Sequence, residues 1–142
     1  MSEPRFSPGD HVLLRNVFDG RVQTVFSSIV VTDTPELIVT WLPLGAPVLN
    51  GISEADAASG TGKNHLSAES MAAKAWTMVP RTWHTSGTLR LKIPRSMWSL
   101  WIFWDEGMTT HRGWYIYIDA PYKRTRFGFD TWYMFLDVVV EP

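Results

Sequence analysis

The segment TWYMFLDVVVEP (131–142) carries Tyr133, Phe135 and Asp137 at alternate positions, so an extended backbone puts all three on one face. A carboxyl group among aromatic side chains is suited to act as a general acid or hydrogen-bond donor, because burial disfavours its charged form. Phenols can orient a carbonyl by donating hydrogen bonds, and RGWYIYIDA (112–120) supplies Tyr115 and Tyr117. Asp137, Tyr117 and Tyr133 are therefore the candidate catalytic groups. SMWSLWIFWD (96–105) sets Trp101 and Phe103 on one strand face. Together with Tyr115 and Phe135 they are candidate substrate-binding walls, since wide aromatic faces around a few polar groups are how small-molecule pockets are built. A third cluster lies in PYKRTRFGFD (121–130), where Lys123, Arg124 and Arg126 are suited to grip a phosphate or carboxylate.

Other patterns exclude chemistry. The histidines His11, His65, His84 and His111 have no short metal-ligand spacing, and HExxH is absent. ASGTGKNHLS (58–67) contains Gly60, Gly62 and Lys63, but a phosphate-binding loop needs glycine where Ala57 stands and Ser or Thr where Asn64 stands. The lack of cysteine removes disulfides, thiolate metal sites and cysteine nucleophiles. A formal net charge of −1 provides no global field to collect nucleic acid or anionic membrane. The N-terminal residues show no signal pattern, and no apolar run approaches the roughly 18 residues of a membrane span. These features predict a cytoplasmic protein whose partner is a small-molecule substrate, with no nucleic acid and no membrane.

Strands must position these groups. HVLLRNVF (11–18) and RVQTVFSSIVVT (21–32) flank Asp19-Gly20, a strong hairpin signal. Further strand patterns follow at 36–42, 85–93, 96–105, 112–120 and about 131–140. Residues 49–74, rich in Gly, Ser and Ala, read as a surface loop with one short helical turn. Six or seven strands and no long amphipathic helix predict an all-β chain, an antiparallel barrel or sandwich, formed by 1–142 as one domain. The last strand has apolar residues on both faces and is expected to be buried on both. At 45% hydrophobic and 13% aromatic, with eight Trp, the composition supplies a core and leaves aromatics over for a pocket.

Five segments carry a family resemblance: FSPGDHVLLRNVFDGRVQTV, LPLGAPV, LWIFWDEG, RGWYIYIDAPYKRTRFGFDT and LDVVVEP. In that order they resemble the actinobacterial branch of the FomD-like family, which includes nucleoside tri- and diphosphate phosphatases and the fosfomycin-pathway hydrolase FomD. The resemblance covers nearly the whole chain and implies a small antiparallel β-barrel, usually followed by C-terminal helices. It also implies a divalent-cation site, with an asparagine at the position of Tyr117 and carboxylates at those of Tyr133, Phe135 and Asp137. Of these only Asp137 is retained, and the chain stops at Pro142 before the family's further acidic segment and helices. Hard cations prefer oxygen ligands that include carboxylates, and phenols are poor substitutes.

Three functions follow from this pattern. The leading expectation is a metal-independent enzyme of specialised metabolism, needing no cofactor. It would fold an apolar or conjugated substrate in an aromatic cavity for cyclisation or cycloaddition. The alternative is a nucleotide or phosphoanhydride phosphohydrolase using Mg²⁺, Mn²⁺ or Co²⁺ on Asp119, Asp130 and Asp137. The third is a non-catalytic accessory protein. A homodimer is compatible with each.

Overall fold

A computed structural model describes residues 4–60, 66, 68–84, 86–105 and 107–142. Gly62, Lys63 and His65 lie outside the described residues, as does the side chain of Phe135. The chain opens with β1 (His11–Phe18) and β2 (Arg21–Asp33), joined by Asp19 and Gly20 at φ 47° and 76°. Both residues adopt the left-handed conformation that a tight two-residue hairpin needs. Then come β3 (Ile38–Leu42), β4 (Pro47–Ser53), the short helices α1 (Glu54–Ser59) and α2 (Ala68–Ala72), and β5 (Trp76–Thr82). The second half comprises β6 (Thr88–Lys92), β7 (Trp98–Trp104), β8 (His111–Asp119), β9 (Lys123–Thr125), β10 (Gly128–Thr131) and β11 (Tyr133–Val140).

The described strands form one 11-stranded sheet in the order β11-β8-β7-β6-β3-β2-β1-β10-β9, with β4 pairing β2 and β5 pairing β4. All pairings are antiparallel except β1 with β10. The all-β reading holds. Closure does not: β11 and β9 end opposite sides of the strand order, so the sheet is open and mixed, with more strands than the six or seven expected. It still curls around one interior, because β1, β2, β3, β4, β7 and β10 send Leu14, Phe26, Leu42, Val48, Trp101 and Phe129 into a common core. A second cluster joins Leu66, Met71 of α2 and Trp76 of β5. Gly51 permits that packing, because a Cβ there would stand 2.6 Å from the Trp76 ring.

Two expectations change here. The 49–74 segment contributes most of β4 and two helices, with Ser53 capping α1 through its hydroxyl. The final strand is also not buried on both sides. Its neighbour is β8 alone, and Leu136, Val138 and Val139 are 60%, 51% and 54% exposed. An edge strand has no second neighbour to cover it.

The far end of β2 is locked by Asp33. Its side chain is fully buried and accepts Arg124 Nη1 and Nη2 at 2.6 and 2.7 Å, Arg5 Nη1 at 3.2 Å and the Phe6 amide at 2.8 Å. Desolvation alone would raise its pKa, but the Arg124 and Phe6 hydrogen bonds outweigh it and hold the carboxyl below its ordinary range. A depressed folded-state pKa stabilises the fold above the ordinary carboxylate range, and that contribution is lost as pH falls through the folded value. Asp33→Asn is expected to cost roughly 3 kcal/mol at neutral pH, near the lower end for breaking a buried pair. Denaturant titrations from neutral to acid pH should show the variant losing less stability than wild type on the acid limb.

Candidate functional site

A cavity of about 250 Å³ opens beside the core between β2, β4, β5, β7 and β8. Trp83, Trp101, Tyr117 and Tyr133 form its aromatic wall, with Trp101 and Tyr117 rings 4.1 Å apart and Tyr117 and Tyr133 rings 5.2 Å apart. Leu14, Phe26 and Val48 supply apolar floor, while Asn16, Gln23 and Asn50 bring polar groups to the same space. Arg81, Thr82 and His84 are exposed at its margin.

The strand patterns explain these placements. On β7, Ser99 and Trp101 point inward, fully buried and nearly so, because alternation puts them on the concave face. On β8 the same alternation brings Tyr115, Tyr117 and Asp119 to one side, and the register sets Tyr117 opposite Ser99 and Asp137. Tyr117 is held well above the ordinary phenol range chiefly by burial, which outweighs the lowering effect of Arg90 and is reinforced by the nearby Tyr133, Asp137 and Tyr115. It therefore stays protonated and remains a hydrogen-bond donor at neutral pH. The Tyr133 pKa is raised by burial first, then by the charge of Asp137 and a hydrogen bond to it.

Behind the wall lies a buried polar chain. Asp119 accepts hydrogen bonds from Lys92 Nζ at 2.5 Å and from Ser99 Oγ at 2.6 Å, and Trp101 Nε1 donates to Ser99 Oγ at 3.1 Å. Burial pushes Asp119 up and Lys92 down, and their mutual attraction opposes both shifts. Arg90 sits next to them on β6, and among the described residues its Nε, Nη1 and Nη2 have no hydrogen-bond partner. Its guanidinium lies 3.7 Å from the Trp101 ring centroid and 4.1 Å from that of Phe26. Burial lowers its pKa to about 10, against the raising influence of Tyr122, Tyr117 and Asp119, so it remains a cation at neutral pH.

The fold brings some candidates together and separates others. Trp101, Tyr117 and Tyr133 share the cavity, and Asp119 lines it as well. Asp137 is exposed rather than buried, because β11 is an edge strand, although it reaches Tyr133. Phe103 and Tyr115 stack on each other at 4.7 Å and pack against the core without lining the cavity. The basic cluster is not an anion grip at this cavity: Arg124 is spent on Asp33, Lys123 is exposed, and Arg126 lies over Phe127. Lys92, Arg90, Ser99 and Trp83 were missed. The available signal was Thr88-Arg90-Lys92 at alternate positions beside Leu89 and Leu91, which ordinary alternation would turn outward; here they face in.

The residues do not fit the divalent cation that the family resemblance implies. Asp130 is bound bidentately by Arg15, with both contacts at 2.7 Å, Asp119 is held by Lys92, and Asp137 is on the exposed edge. Among the described residues, no three His, Asp or Glu side chains gather where they could hold a metal. Among the same residues, no helix is long and apolar enough to cross a membrane.

Comparison with known proteins bears on these readings. The chain is 30% identical over 135 residues, 95% of its length, to the cytidylyl-2-hydroxypropylphosphonate hydrolases of Streptomyces fradiae and Streptomyces wedmorensis. The resemblance to the FomD-like family holds. Two solved structures agree: a phosphatase, SC4828, with the non-hydrolysable nucleotide GPCP, and FomD with CDP. The first has a TM-score of 0.83 and 29% identity over 98% of this chain, the second 0.71 and 28% over 96%. The chain spans 58% of each curated hydrolase and 65% and 64% of the two solved chains. No protein-family profile matches it. These relatives are hydrolases and a phosphatase, which overturns the expectation of a cyclase of specialised metabolism.

Because Lys92 and Asp119 are both buried, Lys92→Met is expected to destabilise by roughly 3–5 kcal/mol, leaving a carboxylate without its cation. Pairing it with Asp119→Asn should recover a large part of that loss. Additive losses in a double-mutant cycle, read by urea unfolding, would show that the two side chains do not depend on each other.

Proposed function

We propose that this cavity is a nucleotide site and that the chain supports hydrolysis of a phosphoanhydride or nucleotidyl ester bond. The observation that carries this reading is the Trp83–Trp101–Tyr117 wall, in a fold whose similar solved structures hold GPCP and CDP. A nucleobase stacks on such faces because both are flat and polarisable, an interaction worth about 1–3 kcal/mol per base. Asn16, Gln23 and Asn50 offer both donors and acceptors for a base edge or a ribose. The 250 Å³ interior suits a base and sugar, and phosphates would then lie toward Arg81 at the margin.

Within that arrangement the chain's own residues bind and orient. Tyr117, kept protonated by burial, can donate to a phosphoryl oxygen. Tyr133 is directed by its hydrogen bond to Asp137, which fixes the ring beside Tyr117. The scattered positions of Asp119, Asp130 and Asp137 favour a second reading, in which the described residues bind a nucleotide without turning it over.

Both readings meet in one experiment: calorimetric titration with CDP, and phosphate-release assays on nucleoside di- and triphosphates with Mg²⁺, Mn²⁺ or Co²⁺. Trp83→Ala should weaken CDP binding by about tenfold, in line with loss of one stacking partner. Unchanged affinity would place the nucleotide elsewhere. Binding without phosphate release in any cation would select the second reading.

A further inference from the structure

Thr88, Arg90 and Lys92 project from one face of β6 into the interior at 0%, 1% and 1% exposure. Lys92 is paired with Asp119, whereas among the described residues Arg90 makes no ion pair and its three guanidinium nitrogens have no hydrogen-bond partner, so that Asp119 acts on it only through its charge. Two aromatic faces, Phe26 and Trp101, are its close neighbours. Both rings also line the cavity, whereas Arg90 lies just behind them. An isolated buried charge is among the most costly groups a core can hold, and a cation–π contact offsets only part of that cost. Apolar replacements of similar volume at such positions often stabilise a fold.

The charges around the cavity are unbalanced in the same sense. Arg81 at the margin, Arg90 and Lys92 oppose Asp119 inside and Asp137 beside Tyr133, three cations against two carboxylates. With so little water around it, a fixed charge acts through a neighbouring ring more strongly than it would at the surface.

We infer that Arg90 sets the charge selectivity of the cavity, its unpaired guanidinium behind Trp101 and Phe26 favouring a ligand that presents an anionic phosphate against the aromatic wall. Arg90 is a positioning residue in this arrangement, acting through Trp101 and not touching the ligand. The inference rests on the nucleotide reading for the identity of the ligand, but not for the charge preference. It assigns to an arginine some of the anion attraction for which the described carboxylates assemble no metal site.

The test compares wild type, Arg90→Met and Arg90→Lys, with EDTA present so that metal plays no part. Ligand-free thermal unfolding comes first: Arg90→Met should melt at or above wild type, as expected when a charge is kept for binding. A clearly lower melting temperature would make the guanidinium a structural support and overturn the inference. Calorimetry with CDP and with cytidine follows. Wild type should prefer CDP, Arg90→Met should reduce the CDP-to-cytidine affinity ratio at least tenfold, and Arg90→Lys should restore part of it. A ratio unchanged in Arg90→Met would also overturn the inference. If wild type binds neither CDP nor cytidine, the nucleotide reading fails by itself, and pyrophosphate then reports the charge preference. Pyrophosphate that binds wild type and Arg90→Met alike, or binds neither, rejects Arg90 as its source.

Discussion

Two cations enter the interior from one strand and only one of them meets a carboxylate. The Lys92–Asp119 pair links β6 to the end of β8, and Ser99 and the Trp101 indole extend the link across β7. Three neighbouring strands are thus held in register by polar contacts as well as by their backbone ladder. The orientation of Trp101 follows from this chain, because its indole nitrogen is fixed by Ser99. Once Trp101 is fixed, one of its faces meets Tyr117 and its ring also meets Arg90, so the cavity wall and the charge behind it derive from the same buried network.

The sheet's openness shapes the site in another way. A closed barrel would bury β11 and with it Asp137; an open edge leaves that carboxylate in solvent and confines burial to the phenols beside it. The polar centre of the cavity therefore shifts from the last strand to β8 and β6. At the other end, Asp33 draws Arg124 of β9 and Arg5 of the N-terminal segment onto β2, which removes the conspicuous basic loop from the chemistry that its composition suggested.

Much of the architecture was legible in local signals. Asp19-Gly20 announced the first hairpin, and the alternating runs of β1, β2, β3, β7 and β8 marked strands within two or three residues of their observed limits. β5 was not, because it contains Pro80, has one fully buried residue in Trp76, and pairs only with β4 at a margin where a proline is tolerated. The parallel pairing of β1 with β10 was equally hidden: it joins residues more than a hundred positions apart, and it depends on Gly128, where any Cβ would strike the Leu13 backbone. The aromatic wall could be anticipated in Trp101, Tyr117 and Tyr133, since their spacing placed them on strand faces. The inward turn of Arg90 and Lys92 could not. Hydrophobic alternation favours Leu89 and Leu91 as the inner set, and only the position of Asp119 on a distant strand makes the reverse choice tolerable for Lys92.

The exposed β11 edge gives Asp137 a significance independent of any ligand. Unpaired backbone groups flanked by Leu136, Val138 and Val139 form a template onto which another strand could add, the usual starting point for uncontrolled association. A negative charge in the middle of such a run is a gatekeeper. If two copies met antiparallel about this residue, carboxylate would confront carboxylate across the new ladder. The group that first suggests catalysis in the sequence is thus also the one that keeps this apolar edge from sealing onto itself.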